Sequence, residues 1–410
     1  MELNQGRAGV VAVINIRHWP RWLVALVYAL FGMSLPLMAA ILPEDRADVL
    51  YHSYEGDNVT VDGPSILLRK QVGKHSSVYA NYYTDSVSSA SIDVRTTASP
   101  YTEERKEKSL GVDLLFDNTS MALGYTNSEE NDYSSNSYHF GVSHSMFSEL
   151  TTVSLGHSYG SDAVRKNKYD AFGNFVGNDP DFGEESLERR NYRLSLSQIL
   201  TKNLIMSASF EAVTDEGFLR NPYRNARIID PALENPGAIN ENYPKTRTSD
   251  SFALRANYYL PYRAAIRTEW KYFEDTWGIE AHTYKIEYTQ PIKNDWFVDV
   301  RYRLYTQTAA IFYKDIFDAN EEALTYKARD KELGTFNSQS FGFGVSYDFM
   351  KNGWWHFDKG TLSFSYDRMD FKYDDFTDLD RGSNGSSNPN FGQPFQFSAD
   401  VIQLYISVWY

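Results

Sequence analysis

The chain of 410 residues has no cysteine, only 14 prolines and a single long apolar run. Without cysteine there is no disulfide framework, thiol nucleophile, thiolate metal ligand or lipid-modified cysteine. One apolar run and a mean hydropathy of -0.49 exclude a bundle of transmembrane helices. Strands that cross a membrane alternate polar and apolar residues, so this low mean does not exclude them.

Positive charge is also scarce. The formal net charge is -14, from 54 acidic and 40 basic side chains. Such a surface repels the phosphates of nucleic acids, so we expect no nucleic-acid partner. The acidic excess by itself is typical of solvated loops.

The apolar run lies near the N-terminus, over residues 22–40. Arg17 and Arg21 precede it, and the small residues Ala39 and Ala40 end it. This order predicts a secretory signal peptide over residues 1–40, which leaves residues 41–410 as the exported chain. The alternative is an uncleaved anchor, because an apolar run of this length just spans about 30 Å of hydrocarbon.

Aromatic side chains are abundant, at 15 % of the residues, and from about residue 45 onward apolar residues recur with a period of two. In residues 296–304, for example, Val300 and Tyr302 fall on one face of the predicted strand, whereas Arg301 and Arg303 fall on the other. The alternation predicts strands with one apolar and one polar face, and it recurs about sixteen times.

The connections distinguish a soluble sandwich from a membrane barrel. Short turns such as residues 73–75 and 117–118 alternate with long polar segments. The long segments cover residues 90–107, 165–186, 217–247, 314–335 and 375–394. Tight turns at one end and long loops at the other are typical of bacterial outer-membrane barrels. We therefore predict an all-β fold: a single antiparallel transmembrane β-barrel of about 16 strands in the outer membrane, whose 217–247 loop folds inward as a plug or constriction.

If the apolar faces meet lipid, the polar faces point into the lumen. The lumen-lining candidates, on four successive predicted strands, are Arg255, Arg267, Glu269, Lys271, Lys285, Glu287, Asp299, Arg301 and Arg303. Because basic residues outnumber acidic ones here, this wall suits an anion-attracting pore. The alternative is a cross-strand network in which the charges neutralise one another.

The last predicted strand ends in "QLYISVWY", residues 403–410. Its lipid-facing positions are Ile402, Leu404, Ile406, Val408 and Tyr410. Apolar residues at every second position before a terminal aromatic predict the signal that barrel-assembly machinery recognises. We expect this strand to close the barrel by pairing with residues 48–57. The other expected partners are outer-membrane lipid and a periplasmic protein.

One strand breaks the pattern. In "LSFSYDRMDFKY", residues 362–373, the apolar parity slips between Tyr366 and Met369. The slip predicts either a β-bulge or a strand that extends beyond the membrane, where alternation is no longer required.

Catalytic and metal chemistry find little support. His139, His144 and Ser145 are candidates for an outer-membrane lipid hydrolase, but His144 has the lipid-facing parity and no third orienting group follows from the spacing. The acidic segment 378–385 lacks the EF-hand spacing, because Gly382 comes one position early. We predict no catalytic residue, no metal site and no cofactor.

Several motifs resemble those of a known family. They are "YHSYEGDNVTVDGP" (51–64), "ANYYTDSVSSAS" (80–91), "FLRNPYR" (218–224), "YFEDTWGIEAHTY" (272–284) and "YRLYTQTAAIFY" (302–313). They resemble the recurrent motifs of an uncharacterised family of bacterial outer-membrane barrels, catalogued as a domain of unknown function. Ser89 stands where that family usually has Gly. The resemblance implies a fold and a location but no substrate.

These observations together lead us to expect a pore or transport component for small solutes. One alternative is a non-conducting structural or assembly barrel that presents surface loops. The second alternative is an outer-membrane lipid hydrolase.

Overall fold

In the computed structural model, sixteen β-strands form one closed antiparallel barrel. The structure describes residues 42–89, 101–170, 175–229, 237–379 and 388–410. The predicted signal peptide, residues 1–40, lies outside these ranges. In the part of the chain that is described, no helix has the length and hydropathy needed to cross a membrane.

The strands are numbered along the chain. The first eleven are β1 (Arg46–Gly56), β2 (Val59–Gln71), β3 (Ser76–Ser89), β4 (Tyr101–Phe116), β5 (Thr119–Glu129), β6 (Tyr133–Met146), β7 (Thr151–Val164), β8 (Asn167–Tyr169), β9 (Phe175–Asn178), β10 (Glu185–Thr201) and β11 (Leu204–Gly217). The others are β12 (Asn225–Ile229), β13 (Gly237–Asn240), β14 (Thr246–Tyr259), β15 (Ala265–Asp275), β16 (Glu280–Ile292), β17 (Trp296–Gln307), β18 (Phe317–Asp318), β19 (Phe336–Phe349), β20 (Lys359–Thr377) and β21 (Pro394–Trp409).

Sixteen of these strands follow one another round the barrel in chain order. The other five are short and lie in loops: β8 pairs with β9, while β12, β13 and β18 form a small separate sheet. The predicted all-β barrel and its strand count are confirmed.

Large apolar side chains cover the outside of the barrel, because they occupy every second position of its strands. In β17, Val300, Tyr302 and Leu304 are 37 %, 38 % and 37 % exposed. In β21, Ile402 and Leu404 are each 42 % exposed. A continuous belt of such residues exceeds what a soluble surface carries, so this face requires an apolar surrounding.

The last strand closes the barrel against the first. β21 pairs with β1 in one unbroken register along the whole of β1, with Arg46 opposite Trp409. Ser407 donates a hydrogen bond to Asp48 at 2.6 Å, and both side chains are buried. Closure leaves no open sheet edge. The predicted pairing of the terminal strand with residues 48–57 is confirmed.

The candidate assembly residues alternate along this strand. Its outward positions are Ile402, Leu404, Ile406 and Val408, and Tyr410 follows the strand. The Tyr410 hydroxyl donates to the carbonyl of Arg69 at 3.0 Å, and the Lys70 ammonium lies 4.9 Å from the Tyr410 ring centroid. Tyr410 therefore ties β21 to β2 across the start of β1, and its role as an assembly signal stays a prediction.

The two ends of the barrel differ in their connections. The short ones define a turn end and comprise residues 72–75, 117–118, 147–150, 202–203, 260–264, 293–295 and 350–358. The opposite, loop end carries the long connections, among them residues 165–184, 218–245 and 308–335. Three connections at the loop end are also short, namely 57–58, 130–132 and 276–279, so the predicted asymmetry is confirmed but is not strict.

The parity slip in β20 arises without a bulge at that position. The pairing of β19 with β20 continues without a register shift from Phe336 opposite Tyr373 past Met369 and Tyr366, where the parity slips. Beyond Asp367 the apolar residues of β20 turn inward, and Tyr373 packs against Phe376 and Phe395 in a buried aromatic cluster. Of the two predicted explanations, the bulge is not found at this position, and the second one agrees with the structure: the strand extends past the apolar belt, and its apolar residues fill the mouth of the barrel.

Candidate functional site

Most of the lumen-lining candidates are joined in ion pairs across the strands. Arg255 of β14 pairs with Glu269 of β15. Arg267 of β15 binds Glu287 of β16 at 2.7 Å, and Lys285 lies 3.4 Å from the same carboxylate. Opposite charges placed directly across a sheet contribute about 0.2–1 kcal/mol for each pair. These five residues therefore form the cross-strand network that the sequence left open as an alternative.

A second ionic group lies between β17 and β20. The Arg301 guanidinium binds Asp299 on its own strand and lies 2.8 Å from the Asp367 carboxylate of β20. The bridge crosses β19 directly over Gly342, where an added Cβ would collide with the Asp367 carboxylate and crowd the Arg301 guanidinium. In β19 the alternation of Phe and Gly thus places Phe343 outside and leaves room inside for the ion pair.

We expect Gly342→Ala to destabilise the barrel by roughly 1–3 kcal/mol, the usual cost of forcing extra volume into a packed site. The added methyl group must push Asp367 away from Arg301 and leave that charge poorly compensated. Urea unfolding of the refolded barrel measures the effect. Gly141→Ala is the matched control, because an inward Cβ there meets only ordinary contacts at 3.8 Å and beyond. Equal midpoints for the two variants would contradict this account.

Two of the predicted cations, Lys271 and Arg303, have no ion pair with any described residue. Arg303 lies over the ring of Tyr305, with 5.1 Å between the guanidinium carbon and the ring centroid. The charge of Lys271 interacts at longer range with the Glu211 carboxylate, but the ion-pair partner of Glu211 is Arg193, at 2.7 Å. Among the described residues the ionic wall therefore carries two half-buried positive charges, Lys271 and Arg303, with no carboxylate within ion-pair distance.

Another part of the lumen wall, formed by β4 to β7, carries many small inward side chains, and its charged residues Arg105, Glu107 and Asp113 are held in ion pairs. Its inward positions in β4 to β7 include Gly111, Gly124, Ser143, Ser154 and Gly156. The side chains of Tyr79 and His139 lie over Gly111 and Gly124. Small residues on this side leave cross-section free, so the charged side chains of β14 to β17 face open space.

Two long loops close over this space and form a lid, defined as residues 218–229, 237–245 and 308–335. They are joined by backbone hydrogen bonds, because β12 pairs antiparallel with β13 and parallel with β18. The lid has its own apolar core, in which Tyr243, Phe312 and Leu333 pack around Trp277 of the 276–279 connection. The 217–247 loop thus covers the lumen, as predicted, but only together with a second loop.

The lid is anchored at several points of the barrel rim. Lys331 reaches Asp57 in the β1–β2 turn at 2.7 Å, with both side chains less than a tenth exposed. The Arg329 side chain donates to the carbonyl of Thr377, the last residue of β20, at 3.1 Å. These contacts hold the lid to the β1–β2 turn and to the end of β20.

A buried carboxylate sits inside the lid. Glu241 is 1 % exposed and accepts hydrogen bonds from the Arg329 backbone N–H at 2.7 Å and the Tyr243 hydroxyl at 2.9 Å. Burial raises the pKa of Glu241, and the neighbouring Asp330 charge acts in the same direction, against the N–H of Arg329 and the charge of Arg224. The closed lid therefore favours the protonated form of Glu241.

This shift predicts that the closed lid loses stability as pH rises. A carboxyl group whose pKa is higher in the closed than in the open state stabilises closure below its ordinary pKa of about 4.5, and this contribution disappears as pH passes the raised pKa. Hydrogen exchange of residues 237–245, corrected for intrinsic rates, should then accelerate as the pH rises above about 4.5. Burial also raises the pKa of Asp132 and Asp315, so these carboxyls contribute to the pH dependence as well. Glu241→Gln removes only the contribution of Glu241, and the difference from wild type measures it. A slope unchanged in that variant would refute the assignment.

Between the lid and the ionic wall lies a chamber of about 820 Å³. Lys271, Arg303 and Glu269 line it from the barrel wall, while Leu333 and Tyr243 line it from the lid. Of the nine lumen-lining candidates, these three wall residues reach the chamber and the other six do not. Sequence reasoning missed the chamber cations of β10 and β14 and all lid residues. For β10 the alternation in "ERRNYRLSL", residues 188–196, places Arg189 on the polar, inward face and could have identified it.

The residues considered for a lipid hydrolase are not assembled into a catalytic group. His144 Nδ1 lies 2.8 Å from the Thr119 hydroxyl, whereas Ser145 bonds to Thr152 at 3.1 Å on the opposite face of the sheet. His139 lies in the lumen over Gly124. Among the described residues no group of carboxylates and histidines could hold a metal ion, and most of the acidic segment 378–385 lies outside the described ranges.

The sequence matches the model of one family, described as "Protein of unknown function (DUF3570)", over residues 90–361. No curated protein matches it.

Solved structures with a similar fold are outer-membrane proteins at very low identity. A bacterial polysaccharide outer membrane secretin is 7 % identical, with a TM-score of 0.47 and coverage of 90 % of this chain and 99 % of that one. The siderophore receptor PirA from Pseudomonas aeruginosa is 11 % identical, with a TM-score of 0.40 and coverage of 90 % and 62 %. OmpT of Vibrio cholerae, lacking loop L8, is 9 % identical, with a TM-score of 0.40 and coverage of 89 % and 98 %. Nothing that these proteins bind or export is carried over to this chain.

Proposed function

The chain belongs to the DUF3570 family of proteins of unknown function, and from this premise we propose that it is an outer-membrane barrel that conducts small solutes through a lidded lumen. The exposed apolar belt and the closed sheet support the location. In lipid an unpaired backbone group costs several kcal/mol, and a closed barrel has no unpaired edge. On this proposal the turn end faces the periplasm, and the lid faces the outside.

The observation that carries the proposal is the chamber. A barrel of sixteen strands encloses an aqueous lumen unless loops fill it. Here the lid covers the mouth but leaves about 820 Å³ beneath it, beside two cations that have no carboxylate within ion-pair distance among the described residues. A barrel that served only as a scaffold would have no need to keep positive charge unpaired over open space.

Conductance in planar lipid bilayers tests the proposal. Because the lid closes the mouth, the wild-type barrel is compared with a variant whose lid anchor is removed, Lys331→Ala. Stable conductance steps in either protein support a pore. Silence in both proteins, from preparations that migrate as folded barrels, would establish the non-conducting structural barrel instead.

The proposal also includes the partners of the barrel. Outer-membrane lipid covers the apolar belt, and barrel-assembly machinery recognises β21 with Tyr410. A periplasmic protein would meet the turn end. No residue is assigned a catalytic role.

A further inference from the structure

Lys271 and Arg303 project from the same side of the lumen on strands that are two apart. Lys271 of β15 lies opposite Thr283 of β16, and Thr283 lies opposite Tyr305 of β17, two residues from Arg303. Neighbouring strands are about 4.8 Å apart and two residues span about 6.8 Å along a strand, so the two side chains start about 12 Å from each other. Both are long enough to meet one small anion placed over Thr283.

The acidic residues around these cations are already engaged. Glu269 pairs with Arg255, and Glu287 is shared by Arg267 and Lys285. Within the described chamber lining, six acidic and six basic residues balance each other. The lining as a whole is therefore neutral, and one added negative charge is favoured only where Lys271 and Arg303 lack a carboxylate within ion-pair distance among the described residues.

The side of the chamber toward the lid is apolar and aromatic. Phe273 lies on the next inward position of β15 after Lys271 and packs against the lid core of Trp277 and Leu333. The Tyr305 ring, beneath Arg303, continues this surface on β17. Aromatic faces of this kind favour stacked or edge-on contact with another ring.

We propose that the chamber is a binding site for small aromatic monocarboxylates, an inference that rests on the proposed function and names its class of solute. The carboxylate accepts hydrogen bonds from the Lys271 ammonium and the Arg303 guanidinium, which matches a planar carboxylate with two parallel donors. The ring packs between Phe273 and Tyr305, toward the lid. The chamber volume of about 820 Å³ lies in the range of about 300–1,000 Å³ that small-molecule sites occupy.

Isothermal titration calorimetry of the purified barrel with benzoate tests the site, with acetate and benzylammonium as comparison probes. We expect benzoate to bind, acetate to bind about tenfold more weakly because it lacks the ring, and benzylammonium not to bind. Lys271→Gln and Arg303→Gln should each weaken benzoate binding about tenfold. Lys202→Gln, in an exposed turn at the other end, should leave it unchanged.

Equal benzoate binding by the wild type and the Lys271→Gln/Arg303→Gln variant would overturn the site, since the signal would then come from detergent or another surface. Acetate that binds as tightly as benzoate would overturn the aromatic part of the assignment. Heat-modifiable migration in gels verifies that each variant is a folded barrel. Benzoate binding without conductance rejects the pore but keeps the site, whereas conductance without benzoate binding rejects the site but keeps the pore.

Discussion

Replacing both Lys271 and Arg303 with Glu is expected to shift the chloride-to-potassium permeability ratio of the barrel at least about tenfold toward potassium. A unit charge acts on an ion about 4 Å away with about 1 kcal/mol even in a water-like dielectric, and about 1.4 kcal/mol corresponds to a factor of ten. The double substitution changes the charge of the chamber wall by four units. Reversal potentials measured across a salt gradient give the ratio directly.

Charge reversal at the turn end is the matched control. Lys202→Glu and Lys293→Glu change the same number of charges at exposed positions in bulk solvent, where salt screens them within about 10 Å. We expect little change in the ratio for this pair. Equal shifts in the two double variants would mean that overall charge, and not the chamber wall, sets the preference.

Arg301 is a poor choice for the same experiment, although the sequence pattern groups it with Arg303. Arg301 holds Asp299 and Asp367 together. Arg301→Glu would place three carboxylates side by side, and the expected result is a poorly folded barrel and not a change in selectivity.

Removal of the lid anchor is the second large effect. Lys331→Ala leaves Asp57 buried without its ammonium partner, and breaking a buried ion pair from one side costs about 3–5 kcal/mol. We expect the lid to detach from the β1–β2 turn, with a severalfold increase in conductance and faster hydrogen exchange in residues 308–335. The barrel strands should keep their protection away from the rim, because there their backbone hydrogen bonds run to neighbouring strands and lid contacts are confined to strand ends such as Gly217 and Asp374.

Lys327→Ala serves as the control within the same loop. Among the described residues, its ammonium donates to the carbonyls of Glu322 and Leu324 in that loop and to no residue of the rim. The exchanged pair Lys331→Asp with Asp57→Lys should restore part of the closure, since the two charges still face each other. If Lys331→Ala conducts and exchanges like wild type, the lid is not held by this contact.

Several features of the fold followed from local pattern. The alternation in β17 placed Val300 and Tyr302 outside and Arg301 inside, because neighbouring residues of a strand point to opposite faces. The turns at residues 117–118 and 293–295 marked strand ends for the same local reason. In β20 the pattern misled at Met369, because the inward face beyond the apolar belt is also apolar, and only its packing against β21 shows which side those residues fill.

The sequence by itself determined the strands, their polar and apolar faces and the even count, since these depend on a period of two and on short-range turns. The closing pair followed from the even count, because the first and last strands of a closed barrel must pair to leave no free edge. Only the tertiary structure decided which charges stay unpaired. Lys271 and Lys285 look alike in sequence, yet Lys285 has Glu287 within 3.4 Å and Lys271 has no such partner. The second loop of the lid and its anchor likewise could not be predicted, because Lys331 and Asp57 lie 274 residues apart and meet only when the barrel has closed.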